Sequence, residues 1–354
     1  MAQNAKDNGN KVTLDDVAAV AGLSKATVSK ALNSRNDVSV KTRIKVRQVA
    51  KQIGYVNSTS PVSTQYPSIA LVTDTMETVY TLQVLNGAVT EAMRERVSVA
   101  TTYVQDVRGQ GETHPLTPEW LRMIASCGYI GLILVTTEVP IEAVELAREL
   151  GVPLVAVDPR NPLPPDVLSI GGTNWNGGLD AAQHLLDLGH TRIEYVKGPP
   201  KSIPSVERFQ GFLSAHQMAG IEIDRSLVLG DDFTFRAGLT AARKLLALPE
   251  KNQPTAFVAG SDWSALGVIE AAREAGLRVP QDVSVVGFDD TILATSSAPR
   301  LTTVRQPLRE MGALAVRTIL GVHAQVESAG PMLLQTHLVV RDSTTVPRPG
   351  RTKR

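Results

Sequence analysis

One cysteine, an aromatic share of 4% and a net charge of +1 over 354 residues remove several classes of protein at the outset. Cys127 alone builds neither a disulfide framework nor a cysteine metal site. Within the apolar run MIASCGYIGLILV it is expected to be a buried small hydrophobe rather than a nucleophile. No stretch approaches the roughly 18 apolar residues of a membrane helix. The opening MAQNAKDNGN has no apolar core of a secretory signal, so a cytoplasmic chain with no membrane partner is the expectation. No H-x-x-x-H pair is present and no His stands beside a Ser or Cys motif, so no metal, cofactor or catalytic residue is expected. His184 and His190, at the two ends of HLLDLGH, read as surface or capping groups. The Gly-rich GGTNWNGG, Gly171 to Gly178, has neither P-loop nor dinucleotide spacing, which counts against an enzyme acting on sugars.

What is present begins with an uneven charge. Residues 1–60 hold ten Lys or Arg against four Asp, and the remainder carries a small acidic excess. A basic block on a mildly acidic body is the footprint of a nucleic-acid-reading head. Within it, Val12 to Asn33 reads as two short helices around a tight turn. Thr13 and Asp16 have the spacing of a capping box. Leu14, Val17, Ala18 and Ala21 recur at helical spacing. Gly22 suits a left-handed turn, Leu23 plugs the small core and Ser24 caps the next helix, Lys25 to Leu32. Val28, Ala31 and Leu32 face inward, which leaves Lys25, Ala26, Thr27, Ser29 and Lys30 outside. A third helix is expected over about Val40 to Ile53, capped by Ser39. This is the layout of a helix-turn-helix, although any small three-helix bundle shares much of it.

The ordered string A-x-x-A-G-L-S-x-x-T-V-S-x-x-L-N from Ala18 to Asn33 resembles the N-terminal domain of the lactose-repressor (LacI/GalR) family. V-S-x-K-T-R at Val38 to Arg43 and I-G-Y at Ile53 to Tyr55 continue the match. The resemblance implies a homodimer that sets two recognition helices into major grooves of double-stranded DNA, on a pseudo-palindromic operator. By position, Lys25, Ala26 and Lys30 are the candidates for base edges. Thr13, Ser24, Thr27, Ser29, Asn33 and Thr42 are the candidates for phosphates. The family's hinge helix would follow. Here the Ala-Arg-x-Leu pattern is missing, its wedge position falls at Thr64, and Pro61 would break a helix.

The rest alternates short β-branched strands with helices, which predicts parallel sheets covered on both faces. IALVT at Ile69 to Thr73, GLILV at Gly131 to Val135 and PLVAV at Pro153 to Val157 are strands of a first unit. Ile193 to Lys197, Ala256 to Ala259 and Val283 to Gly287 are strands of a second, with a further strand near Leu227 to Leu229. Thr302 to Gln306 and Met332 to Val340 close the pattern. Two tandem doubly wound units resemble the periplasmic-binding-protein fold of the family's body. The expected fold class is therefore a small all-α head plus an α/β two-lobed body. Its divisions are a disordered N-terminus over 1–11, a DNA-binding domain over 12–56, a linker over 57–67, a body over 68–343 and a basic tail over 344–354. The first lobe is expected over about 68–168 and 299–328, the second over about 169–298 and 329–343. The tail has no leucine heptads, so no C-terminal tetramerisation coil is expected.

Ligands of open α/β sheets bind beyond the carboxyl ends of strands, so a cleft between two lobes is the default pocket. Candidates by position are Asp158 after PLVAV, Asp289 after VSVVGF, Ser261 and Asp262 after AFVAG, Arg208 in RFQGF and Phe233 in GDDFTF. Each has a plainer reading. Asp158 precedes a proline and could shape a turn, Asp262 could cap a helix, Arg208 could pair with Glu207 or Asp231, and Phe233 could be core. The resemblance implies that Arg208 and Asp289 face a sugar, that Asp158 is the acidic group of the first lobe, and that Phe233 stacks on the sugar ring. Ser261 stands where many members carry Asn. A small sugar or oligosaccharide effector and a regulator of carbohydrate genes, most often a repressor, are what the resemblance implies. A transport-type sugar-binding protein is the alternative.

Overall fold

The computed structural model describes residues 12–32, 38–53, 55, 67–103, 116–325 and 330–348. The chain divides into two compact units, residues 1–65 and 66–354.

The first unit is three helices, α1 (Leu14–Ala21), α2 (Lys25–Leu32) and α3 (Val40–Gln52). Thr13 and Asp16 form the reciprocal capping box, and Gly22 ends α1 at φ 64°. The Ser24 and Ser39 hydroxyls accept the backbone N–H groups of Thr27 and Thr42, which caps α2 and α3. Val17, Ala18, Ala21, Val28, Ala31, Val46 and Val49 form one small core, with Leu14, Leu23, Leu32, Ile53 and Tyr55 packed against it. The linker over 57–67, with the suspected wedge position Thr64, lies almost wholly outside the described residues, as do Asn33 and the segment over 1–11.

The second unit runs β1 (Ser68–Thr73), α4 (Val79–Arg94), β2 (Ser98–Tyr103), α5 (Pro118–Ser126), β3 (Tyr129–Val135), α6 (Ile141–Glu149), β4 (Leu154–Val157) and β5 (Leu168–Gly172). It continues through α7 (Asn174–Asp187), β6 (Ile193–Val196), α8 (Ile203–Met218), α9 (Phe235–Leu246), β7 (Ala256–Ala259), α10 (Asp262–Glu274), β8 (Ser284–Asp289) and α11 (Ile292–Ser296). It ends with β9 (Thr302–Arg305), α12 (Leu308–His323), β10 (Met332–Leu334) and β11 (His337–Val339). The strands form two sheets, ordered β10-β5-β4-β3-β1-β2 in the N-lobe and β11-β9-β8-β7-β6 in the C-lobe. All N-lobe pairs are parallel, and β11 on β9 is the one antiparallel pair of the C-lobe sheet among the described strands. Both faces of each sheet carry apolar helices, which explains the nearly unbroken burial of Ile69 to Thr73 and Ser284 to Asp289. Among the described residues no helix is long and apolar enough to cross a membrane.

Several expectations are corrected here. β9 joins the C-lobe sheet, so the stretch 299–305 belongs there and the N-lobe resumes at α12. The expected final strand Met332 to Val340 is two strands in different sheets, because the chain crosses between lobes at Gln335 and Thr336. β5 was hidden by its two glycines and extends the N-lobe to Gly172. Leu229 makes only an isolated bridge to Val196. Cys127 is exposed, because α5 ends there and Gly128, at φ 81°, turns the apolar run into β3. His190 is buried, bonding to the Thr255 hydroxyl and the Thr345 carbonyl. The segment through Arg348 is therefore part of the C-lobe rather than a free tail, and Arg348 pairs with Asp282.

Three helix pairs are locked by reciprocal glycines. A Cβ on Gly87 would lie 1.8 Å from the Arg309 carbonyl oxygen, and one on Gly312 would lie 2.0 Å from that of Val84, which joins α4 to α12. Gly178 against Arg208 and Gly211 against Trp175 do the same for α7 and α8, at 2.0 and 1.9 Å. Gly238 against Ser264 and Gly267 against Phe235 join α9 to α10, at 2.0 and 2.1 Å. Backbone meets backbone at each crossing, and no side chain but hydrogen fits.

Candidate functional site

The carboxyl ends of the strands of both lobes supply the polar groups, as open α/β sheets dictate. Three connections between the sheets pass beside them. Thr173, Gln306 and Thr336 stand on these crossings. The Thr336 N–H donates to the Thr173 hydroxyl at 2.9 Å, and the Thr336 hydroxyl donates to the Thr173 carbonyl at 3.0 Å.

Arg208 is the centre of the C-lobe side. It projects from α8, whose backbone is fixed to α7 at Gly178, and it is 3% exposed. Its Nε donates to Asn174 Oδ1 at 2.8 Å, and its Nη1 donates to the Gly260 carbonyl at 2.6 Å. Nη1 also lies 3.5 Å from Asp289 Oδ1. Its guanidinium carbon sits 3.9 Å from the Phe288 ring centroid and 5.2 Å from that of Phe233. A planar cation held over two aromatic faces keeps one orientation. Phe233 reaches it because Gly198 and Gly260 leave room; a Cβ on Gly198 would stand 2.1 Å from the ring.

Asp289 ends β8 at φ 114°, a conformation that L side chains rarely adopt. Gln306 Nε2 donates to its Oδ1 at 2.8 Å, so a crossing residue touches a site carboxylate directly. Burial pushes the Asp289 carboxyl above the usual range, while Arg208 and Gln306 pull it back. On the N-lobe side, Asp158 follows β4 at φ 45°. Its Oδ2 accepts the Tyr80 hydroxyl at 2.6 Å. Burial raises its pKa, and Tyr80, Arg208, the Gly172 N–H and the Asn174 amide lower it. Asn174 also donates to the Gly172 carbonyl at 3.2 Å and to Glu207 at 3.3 Å.

Four of the six expected ligand residues thus gather: Arg208, Phe233 and Asp289 in direct contact, and Asp158 within their electrostatic reach. Ser261 and Asp262 are engaged by protein partners instead. The Ser261 hydroxyl caps α10 and donates to the Phe233 carbonyl at 2.7 Å. Asp262 Oδ2 accepts the Thr291 N–H and hydroxyl at 2.7 and 2.9 Å, and its Oδ1 accepts the Thr303 hydroxyl at 2.5 Å. Both side chains are spent on holding the ends of β7, β8 and β9 together. Burial, then the neighbouring Asp289 charge, pushes the Asp262 carboxyl up. The sequence reading missed Tyr80, Asn174, Phe288 and Gln306. Asn174 and Gln306 each sit just past a strand end, a signal that was available; Tyr80 had none.

The head presents its candidates as expected of outward groups. Thr13, Ser24, Lys25, Ala26 and Lys30 are exposed, and Thr27, Ser29 and Thr42 half-buried. The hydroxyls of Ser24 and Thr27 bond each other at 2.8 Å, as do those of Ser39 and Thr42. Lys25 pairs with Asp15 at 2.7 Å.

A helix-turn-helix head followed in the chain by a two-lobed body of periplasmic-binding-protein type defines a class, the ligand-responsive DNA-binding regulators. Residues 13–58 match the family model "Bacterial regulatory proteins, lacI family", and residues 182–344 match "Periplasmic binding protein-like domain". The chain is 33% identical over 350 residues to the HTH-type transcriptional regulator DegA of Bacillus subtilis, covering 95% of this chain and 98% of that protein. Among solved structures, a transcriptional regulator CelR–cellobiose complex is similar at TM-score 0.69 and 29% identity, over 94% of this chain and all of that one. A Lac repressor dimer bound to operator and the anti-inducer ONPF is similar at TM-score 0.68 and 26% identity, over 95% of this chain and all of that one. The chain belongs to the LacI family of bacterial regulatory proteins, and it is a DNA-binding transcriptional regulator. Proteins of this family bind DNA operators and small effectors.

Proposed function

We propose that this regulator is a homodimeric repressor of carbohydrate uptake or degradation genes, working in the cytoplasm and released from DNA by a neutral sugar held between its lobes. The observation that carries the effector class is the Arg208 guanidinium, fixed over Phe288 and Phe233 beside Asp289, with the Asp158 carboxylate of the N-lobe within its field. A polyol needs donors and acceptors of fixed direction, and Arg supplies only donors while ionised Asp supplies only acceptors. An aromatic face covers the apolar side of a pyranose. The relative solved with cellobiose supports the same chemistry. Ligand binding moves a two-state equilibrium only by its difference in affinity for the two states. Here the crossings supply the link, because Gln306 holds Asp289. No catalytic step is assigned.

On DNA, two copies of α2 would occupy successive major grooves of a pseudo-palindrome. Lys25, Ala26 and Lys30 read base edges; Thr13, Ser24, Thr27, Ser29, Asn33 and Thr42 meet phosphates. The capped N-termini of α1, α2 and α3 favour this, since helix N-termini bind anions. The test is selection of genomic fragments by the purified protein at near-physiological salt, followed by anisotropy titrations with neutral sugars. A recovered pseudo-palindrome that is released by one sugar supports the reading. Salt-sensitive, sequence-blind binding refutes the operator, and tighter binding with sugar refutes induction. Lys30→Ala relaxes sequence preference, whereas Thr42→Ala weakens all sites evenly.

A further inference from the structure

Asp158 is the group that family resemblance sets against the sugar, yet its carboxylate is already served by protein donors. The Tyr80 hydroxyl donates to its Oδ2 at 2.6 Å, and the Gly172 N–H and Asn174 amide support it as well. An ionised carboxylate only accepts, so the single phenol proton of Tyr80 is committed to Asp158. The phenol oxygen keeps its acceptor capacity. Tyr80 stands in the first turn of α4, which Thr78 caps, and its ring packs on the N-lobe core while remaining half-buried rather than sealed. Its hydroxyl also lies within the fields of Arg208 and Asp289, which belong to the other lobe. Tyr80 is thus an N-lobe phenol, bonded to Asp158, on which the charges of the C-lobe act.

Building on the sugar-effector reading, we infer that Tyr80, rather than Asp158, is the N-lobe group that touches the effector, accepting a hydrogen bond from one sugar hydroxyl. Asp158 is a positioning residue, which orients the phenol by taking its proton. Specificity follows from this arrangement. A sugar hydroxyl in that place must donate, and a sugar lacking it leaves the Tyr80 oxygen without its partner. Sites built to bond a hydroxyl reject analogues that lack it far more strongly than apolar pockets reject a missing methylene.

The experiment uses the full-length protein and calorimetry with glucose, galactose, xylose, maltose, lactose and cellobiose, then the monodeoxy analogues of the tightest binder. The wild type is expected to lose about tenfold or more in affinity for the analogue lacking the hydroxyl that meets Tyr80. Tyr80→Phe is expected to bind the parent sugar about tenfold more weakly and to lose discrimination at that hydroxyl alone. Asp158→Asn added to Tyr80→Phe is expected to cost little more, because Asp158 acts through the phenol. Thermal melting confirms that the Tyr80→Phe protein is folded. A uniform weakening of all analogues, or unchanged discrimination in Tyr80→Phe, overturns the assignment and leaves the sugar reading intact. If the wild type binds none of the panel, the sugar reading falls and this inference falls with it.

Discussion

The two lobes share an architecture but contribute unequally to the site. The C-lobe brings a cation, two rings and a carboxylate into direct contact around Arg208. The N-lobe brings a carboxylate that is already bonded within its own lobe to Tyr80. Their helix clamps differ in the same way. The α4–α12 clamp at Gly87 and Gly312 holds the N-lobe together, with Arg309 exposed to solvent. The α7–α8 clamp at Gly178 presses directly on the residue that carries the guanidinium. The same packing device joins two helices in one lobe and, in the other, bears on the backbone of the residue at the centre of the candidate site.

Removing the centre of the C-lobe site should have the largest effect. Arg208→Met is expected to lower sugar affinity by about a hundredfold or more, near 3 kcal/mol, because it leaves Asp289 buried without its cation. Titration calorimetry reads the loss, and operator binding without sugar should persist. Comparable losses from Asp158→Asn would break the asymmetry between lobes.

The clamps offer the next test. Gly178→Ala and Gly87→Ala are each expected to cost about 1–3 kcal/mol in urea unfolding, since a Cβ overpacks both crossings. Only Gly178→Ala should also weaken sugar binding, through the displaced Arg208 backbone. Equal effects on binding would show that the clamps do not differ in function.

Titration separates the lobes less sharply. The fold holds the Asp289 pKa above the ordinary carboxylate value, so this group takes up a proton at milder acidity than a solvated Asp. Protonation removes the charge facing Arg208, so sugar affinity should fall as pH drops from about 7.5 to about 5.5. Asp289→Asn should start weaker and show a flatter profile. A wild-type affinity that rises with acidity would reverse the assigned sign.

The smallest effect is expected at the crossings common to both lobes. Thr336→Val removes a donor to the Thr173 carbonyl and should cost about 1 kcal/mol of stability. Calorimetry should find sugar affinity changed by less than about threefold. A larger change would make the crossings part of the binding site itself.

Much of this was legible because it depends on local pattern. The helix-turn-helix follows from near-neighbour chemistry: a capping pair, a glycine turn and apolar spacing within about 20 residues. Strands such as Ile69 to Thr73 and Val283 to Gly287 announce themselves by β-branched runs. Arg208, Phe233, Asp158 and Asp289, which strand ends and family resemblance marked, come together in the structure. Ser261 and Asp262 carried the same mark and turned inward, since their fate depends on Thr291, Thr303 and the Phe233 carbonyl, all distant in sequence. Cys127 and His190 were misjudged for the same reason. The end of a helix exposed one, and a returning C-terminal segment covered the other.

By itself, then, the sequence determined the three-helix head, the alternation of strands and helices, and the presence of acidic and basic groups at strand ends. These follow from propensities and periodicities that act over a few residues. Tertiary structure alone decided which sheet β9 and β11 joined, that Tyr80 met Asp158 across 78 positions of chain, and that Gly178 set the place of Arg208. Such contacts arise from closing long loops and packing backbone on backbone, and no local pattern encodes which distant partner a side chain will find.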